Sequence, residues 1–276
     1  MERRGYAVCA ARLGQLCLGG ALSEPAVREA ALRAGLLESE GIVVMPGQRE
    51  RALGIATRAG LHDDASAVYL PETLRFVSRL LEVAPFVISV AVAGSLASGG
   101  FTITDDVDLN LVVEDGFRHQ AYVVLNVLGL THALRHRRKP VDDLTRRPLA
   151  PRLMTANLVL ERSDWFPLVR QDADMAFELL VQQPVFGEEF LESAIAANPE
   201  LLEHFPQLAA RSSRWHVEPG RRLPRRLYPR ALEHPARWIG LAGWRYMMWT
   251  RRHRPEALRR VELVRSTMRP YALFDR

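Results

Sequence analysis

The sequence predicts an α/β (α+β) fold: a mixed sheet flanked by helices, with a small module ahead of the sheet and a helical region behind it. Three observations predict it. Phe86–Ala93 is a run rich in β-branched residues, bounded by Pro85 and Gly94, as a buried strand should be. Val107–Val113 is a second apolar strand, separated from the first by a glycine-rich linker holding Gly94, Gly99 and Gly100. Helical periodicity precedes and follows this pair. Leu74, Val77, Leu80 and Leu81 share one face of a helix over 71–83, and another helix is expected over about 117–134.

The rest of the chain is assigned around that core. Residues 7–18 have helical spacing ended by Gly19-Gly20. Ser23 is a suitable N-cap for a second helix that runs to about Ala34, with Glu24 and Pro25 in its first turn. Gly41–Met45 reads as a short strand, followed by a turn at Pro46-Gly47. Helix, helix and a small β element make residues 1–52 winged-helix-like. The second helix balances Glu24 and Glu29 against Arg28 and Arg33, which suits packing or partner contact better than DNA reading. Residues 71–165 form the α/β core, with a polar, basic loop over 135–152 and a third strand over 153–161. Residues 166–276 are helical and arginine-rich, with helices expected over 172–182 and 187–197.

Composition bounds the function. The chain has 276 residues, 48% of them hydrophobic and 25% charged, as in ordinary globular proteins. Its 37 basic residues include one lysine, Lys139, which points to a GC-rich coding sequence more than to a chemical requirement. Residues 211–276 hold 17 arginines against Glu218, Glu233, Glu256, Glu262 and Asp275, a net charge of +12. Such a tail is either a polyanion-facing surface or a solvated helical face. Cys9 and Cys17 would lie about 12 Å apart on one helix, too far to bridge, so a reducing cytoplasm is expected. Arg12 and Gln15 interrupt the apolar stretch near the start, which argues against a signal peptide. No apolar run reaches the ~18 residues needed to span a bilayer, so no membrane partner is expected.

The candidate chemistry lies where the two middle strands meet. Asp106 and Asp108 project from one face, roughly 7 Å apart at their bases. Two such carboxylates repel unless a cation lies between them, and Mg²⁺ suits a site of one or two acids completed by water and phosphates. Asp105 faces the other way and belongs to the turn. Gly94-Ser95, where the first strand ends, offers backbone amides and a hydroxyl to a phosphate. A phosphate site and a metal site one loop apart are the minimum for phosphoryl or nucleotidyl transfer.

The stretch VAGSLASGGFTITDDVDLNLVV, residues 92–113, resembles the signature of the DNA polymerase beta-like nucleotidyltransferase superfamily. That signature is an apolar strand, Gly-Ser, a linker of about ten residues and Asp-x-Asp within another apolar strand. The chain is also similar to bacterial nucleotidyltransferase domain-containing proteins with a winged-helix-like N-terminal segment, an Asn-containing third strand and a helical tail. The matching pieces are 7–52, Gly94–Asp108, Asn157 and about 171–206. The resemblance implies that Gly94 and Ser95 grip an NTP, with ATP foremost, and that Asp106 and Asp108 ligand Mg²⁺ or Mn²⁺. An NMP would then pass to a small-molecule acceptor.

One position departs from the pattern. Active members usually present a third carboxylate on the next strand, where this chain has Asn157. An amide is a poor base, so Asn157 either orients the acceptor or a metal-bound water, or marks a catalytically weak nucleotide-binding, regulatory or partner-binding module. Glu161 lies about 13 Å further along the strand and cannot simply replace it. Asp142 and Asp143 sit in the preceding loop, as does Lys139, which could contact the outer phosphates or complement a helix C-terminus.

His132 and His136 have i, i+4 spacing without a third ligand. Trp238, Trp244, Met247, Met248 and Trp249 lie on one helix that reads as core or as a homodimer face, with base stacking as the lesser alternative. A further alternative is an RNA- or protein-modifying, toxin-like transferase that uses the basic tail as its nucleic-acid contact.

Overall fold

The computed structural model describes residues 8–136, 154–267, 271 and 273–274. Lys139, Asp142 and Asp143 lie outside the described residues. The chain is mixed α and β, with a four-stranded sheet and a separate two-stranded one.

The N-terminal part begins with α1 (Ala10–Gln15), shorter than the 7–18 helix expected. Then comes α2 (Glu24–Arg33), capped by Ser23, whose hydroxyl accepts from the Ala26 amide at 3.4 Å. The single strand expected over 41–45 is one arm of a hairpin, β1 (Leu37–Ser39) with β2 (Ile42–Val44). The turn between them holds Glu40 and Gly41 at positive φ. Ile42 and Val44 pack with Ala52 and Ile55 in a small separate core.

The next helix corrects the sequence reading. α3 runs unbroken from Ala52 to Val83, passing through Pro71, which had marked its start. Proline lacks the N–H and crowds the preceding turn, a cost of about 3 kcal/mol in a helix interior. Here Pro71 is exposed, and the buried residues Thr73, Phe76, Val77, Leu80 and Leu81 anchor the turns that follow it. The segment left unassigned between 52 and 71 is thus the first half of the helix that joins the hairpin to the sheet.

The main sheet contains β3 (Val87–Ala93), β4 (Val107–Val113), β5 (Met154–Glu161) and β6 (Gln183–Phe186), in the order β5-β4-β3-β6. β4 is antiparallel to β3 and parallel to β5, and β6 is antiparallel to β3. β6 was not foreseen. Four residues containing Pro184 give little periodicity, and a proline is tolerated there because β6 is an edge strand. α4 (Gly94–Ser98) follows β3, and α5 (Arg118–Ala133) lies between β4 and β5 in sequence.

Both sheet faces are covered. On one, Val90, Val92, Leu109, Leu111 and Val113 meet α3 together with Phe117, Ala121 and Leu125. On the other, Val112, Leu158 and Leu160 meet Met175 and Leu179 of α6 (Ala173–Val181) and Leu191 of α7 (Glu188–Ala196). Asp172 caps α6 by accepting from the Met175 amide at 2.9 Å.

Beyond α8 (Pro199–His204), the chain crosses back to α5 as α9 (Glu233–Arg251) and ends in α10 (Pro255–Thr267). Glu233 fixes that return: its two carboxylate oxygens accept from the His119 and Gln120 amides, at 2.6 and 3.0 Å, at the start of α5. Burial raises the Glu233 carboxyl, but these bonds and the His119 ring outweigh it and hold the acid below its ordinary range. Among the described residues, no helix is long and apolar enough to cross a membrane.

α9 presents Ala236 and Gly240 inward and Trp238, Tyr246 and Trp249 outward. Ala236 and Gly240 are buried, and a Cβ at Gly240 would press on Phe274 and Tyr122. Trp238 and Trp249 are 61% and 58% exposed, so neither belongs to the core as one sequence reading had it, while Trp244, Met247 and Met248 are half-buried. The close approach needed between α5 and α9 admits only small residues at the contact, which turns Trp238 and Trp249 toward solvent.

Candidate functional site

Antiparallel pairing sets Ala93, the last residue of β3, opposite Asp108, the second residue of β4. The Gly94-Ser95 turn and the two aspartates, which are a linker apart in sequence, therefore meet at one end of the sheet. Gly94 has φ 61°, in the left-handed region, and a Cβ there would collide with Asp108 Oδ2. Both the backbone conformation and the packed carboxylate require glycine at this position. Gly94→Ala is accordingly expected to cost about 1–3 kcal/mol and to displace the Asp108 carboxylate. The check is a urea midpoint together with Mg²⁺ affinity. Unchanged values for both would mean that the turn relaxes freely.

Asp106 precedes β4 and is exposed, while Asp108 is half-buried within it. Asp108 Oδ1 accepts from the Thr155 hydroxyl at 3.0 Å, across the parallel pair Asp108–Thr155. Burial, then the nearby charge of Asp106, lift the Asp108 carboxyl to about 7, against the smaller opposing effect of Thr155; Glu178 and Asp105 add to the rise. Asp105 behaves as the turn residue expected, its carboxylate accepting from the Thr102 amide at 3.1 Å.

Asn157 lies where the β4–β5 register shifts. Ala156 pairs with Leu109 and Leu158 with Asn110, leaving Asn157 as the extra residue. Its Nδ2 donates to Asn110 Oδ1 at 3.0 Å and to Glu178 Oε1 at 3.1 Å. Asn110 Nδ2 in turn donates to Gln182 Oε1 at 2.7 Å, and Asn110 also hydrogen-bonds Glu178. Burial raises the Glu178 carboxyl despite the two amides that favour its charged form.

Glu178 is the residue that sequence reasoning missed. It brings a further acid within electrostatic range of Asp108, from α6 and not from the central strand. One signal was present: Glu178 stands three residues after Met175 and beside Leu179, on the apolar arc of its helix, where a solvated acid has no reason to be. Its partners, Asn110 and Gln182, could not be inferred from spacing.

Other candidates separate from this site. Glu161 Oε1 accepts from the Gly116 amide at 2.9 Å at the far end of β5, beside the buried Arg118–Asp164 pair. It is a structural acid. His132 is buried, edge-on to Phe76 at 5.5 Å and 3.7 Å from Glu72, so it packs against α3 and does not reach the aspartates. Cys9 and Cys17 are both free thiols. Among the described residues, no group of three or more His, Cys, Asp or Glu is placed to hold a metal by itself.

Comparisons with family models, with curated proteins and with solved structures find no match to this chain.

Proposed function

We propose that this chain is a Mg²⁺-dependent nucleotidyltransferase of the polymerase beta-like type, moving an NMP from an NTP, ATP foremost, to a small-molecule acceptor. The observation that carries the reading is the meeting of Gly94-Ser95 with Asp106 and Asp108 at one end of the sheet. Gly94, at φ 61°, lets the backbone pass against the Asp108 carboxylate where any Cβ would collide with it.

The donor set fits a hard divalent cation. Two acids lie two residues apart, and the neutral Thr155 hydroxyl bonds one of them. Mg²⁺ needs only one or two carboxylates when phosphates and water complete its shell. Asp106 and Asp108 would hold it, and when bound it would neutralise charge on the triphosphate. The amides after Gly94 and the Ser95 hydroxyl would bind phosphate oxygens. An acceptor oxygen or nitrogen would bond to the α-phosphorus as the α–β anhydride bond breaks, with pyrophosphate leaving and the acceptor proton passing to a nearby carboxylate or to water.

Incubation with α-labelled NTPs, Mg²⁺ and a small-molecule extract tests this. Label transfer with stoichiometric pyrophosphate release is expected. Binding of NTP without transfer would favour the alternative of a nucleotide-sensing module.

The exposed stripe on α9 supports a second reading, in which nucleic acid is the partner. Trp238, Tyr246 and Trp249 are exposed alongside Arg245 and Arg252, within the +12 tail. Arg252 lies 4.2 Å over the Trp249 ring. If this surface grips RNA, binding should weaken by orders of magnitude between about 50 and 200 mM salt. Trp249→Ala should then cost about 1–3 kcal/mol of affinity. No binding to single-stranded RNA at low salt would leave the stripe as a homodimer face or a solvated surface.

A further inference from the structure

Asn157 stands where a base would be sought, yet its hydrogen bonds give it a defined orientation. Ionised, Glu178 can only accept, and it faces the Asn157 nitrogen. Both Nδ2 hydrogens of Asn157 are therefore committed, one to Glu178 Oε1 and one to Asn110 Oδ1. Asn110 cannot reverse this, because its own nitrogen is held by Gln182 Oε1 and by Glu178. The carbonyl oxygen of Asn157 is thereby turned away from both of these partners.

We propose that Glu178 is a positioning residue, which locks Asn157 with its carbonyl oxygen toward the acceptor, so that the site receives a neutral or cationic hydroxyl or amine and rejects an anionic acceptor. The proposal rests on the nucleotidyl-transfer reading. Among the described residues, Asp106, Asp108 and the Asn157 carbonyl accept hydrogen bonds on the acceptor side, with Glu178 behind them, and the Thr155 hydroxyl already donates to Asp108. An O–H or N–H donor is bound by such a lining. A phosphate or carboxylate would meet charge of its own sign at these acids. Asn157 is thus a designed orienter of the nucleophile and not a base lost from the strand.

The test compares the full chain with Glu178→Gln, which keeps an acceptor oxygen, and Glu178→Leu, which keeps none. Leucine is compatible with α6, whose neighbouring residues Met175 and Leu179 are buried and apolar. The first readout is the side-chain amide resonance of Asn157, identified by its loss in Asn157→Ala. It is expected to be retained in Glu178→Gln and to move, with faster hydrogen exchange, in Glu178→Leu. The second readout is transfer from α-labelled ATP with Mg²⁺ into anionic, neutral and cationic fractions of a metabolite extract. Label is expected in the neutral or cationic fraction. Glu178→Leu should raise the acceptor KM by ~10-fold, the loss of one oriented hydrogen bond, with the ATP KM unchanged and Glu178→Gln close to wild type.

An Asn157 resonance indifferent to Glu178→Leu would overturn the positioning role whether or not the protein transfers nucleotide. Label confined to the anionic fraction would overturn the acceptor assignment. A resonance coupled to Glu178 with no label in any fraction would overturn the transferase reading, and the acceptor assignment with it.

Discussion

Asp108→Asn should make the protein more stable at pH 8 while removing its Mg²⁺-dependent binding of NTP. Burial and the charge of Asp106 lift the folded-state carboxyl from 3.8 to about 7. Between those values the native state holds a proton that the unfolded chain has released. Stability therefore falls as pH rises from about 4 to 7 and stays low above that window. Solvent at the site rim reduces the penalty, which we place at about 1–3 kcal/mol, or a few °C in melting temperature. Asparagine carries no charge, so its advantage should be greatest near pH 8 and vanish toward pH 4. Asp106→Asn should stabilise less, because Asp106 is exposed. Mg²⁺ should raise the melting temperature of the wild type at pH 8 and leave that of Asp108→Asn unchanged. Calorimetry across pH, with and without Mg²⁺, measures all three effects. A variant that is less stable at pH 8, or that retains full nucleotide transfer, would remove Asp108 from the site.

Asn157→Asp should lower both stability and transfer. The change removes the donor that Glu178 and Asn110 share and sets a carboxylate about 3 Å from another. Leaving buried polar groups unpaired beside a like charge costs about 2–4 kcal/mol. The new charge would also reach Asp108, whose carboxyl is already raised. Transfer should fall while the ATP KM changes little. Adding Glu178→Gln restores an N–H donor opposite the new carboxylate, and the pair should recover at least ~1 kcal/mol relative to additive single effects. Urea midpoints give the stability cycle, and labelled transfer gives the activity. A rise in turnover in Asn157→Asp alone would mean that a third strand carboxylate is wanted and that Asn157 marks a relic.

Much of the sheet's centre was legible because its signals are local. Pro85 and Gly94 bound β3, β-branched residues fill it, and the alternation of Asp106, Leu109 and Leu111 shows which side of β4 is apolar. Capping by Ser23 was equally plain, since a hydroxyl satisfies a helix N-terminus within three residues. The α9 aromatics misled for a related reason. Periodicity shows that a helix has two faces, but Gly240 against Tyr122 and Phe274 decides which face is buried.

By itself the sequence determined that Gly94-Ser95 and Asp106-x-Asp108 flank two apolar strands, and that Asn157 occupies the third. Antiparallel register, which depends on hydrogen bonds between segments distant in sequence, brought Asp108 against Gly94. Only the packing of α6 over the second face placed Glu178 at Asn157, 21 residues away, and oriented the amide. The cause is physical: strand and helix periods are written into neighbouring residues, whereas a buried acid's partner is chosen by the three-dimensional search for donors that its desolvation demands.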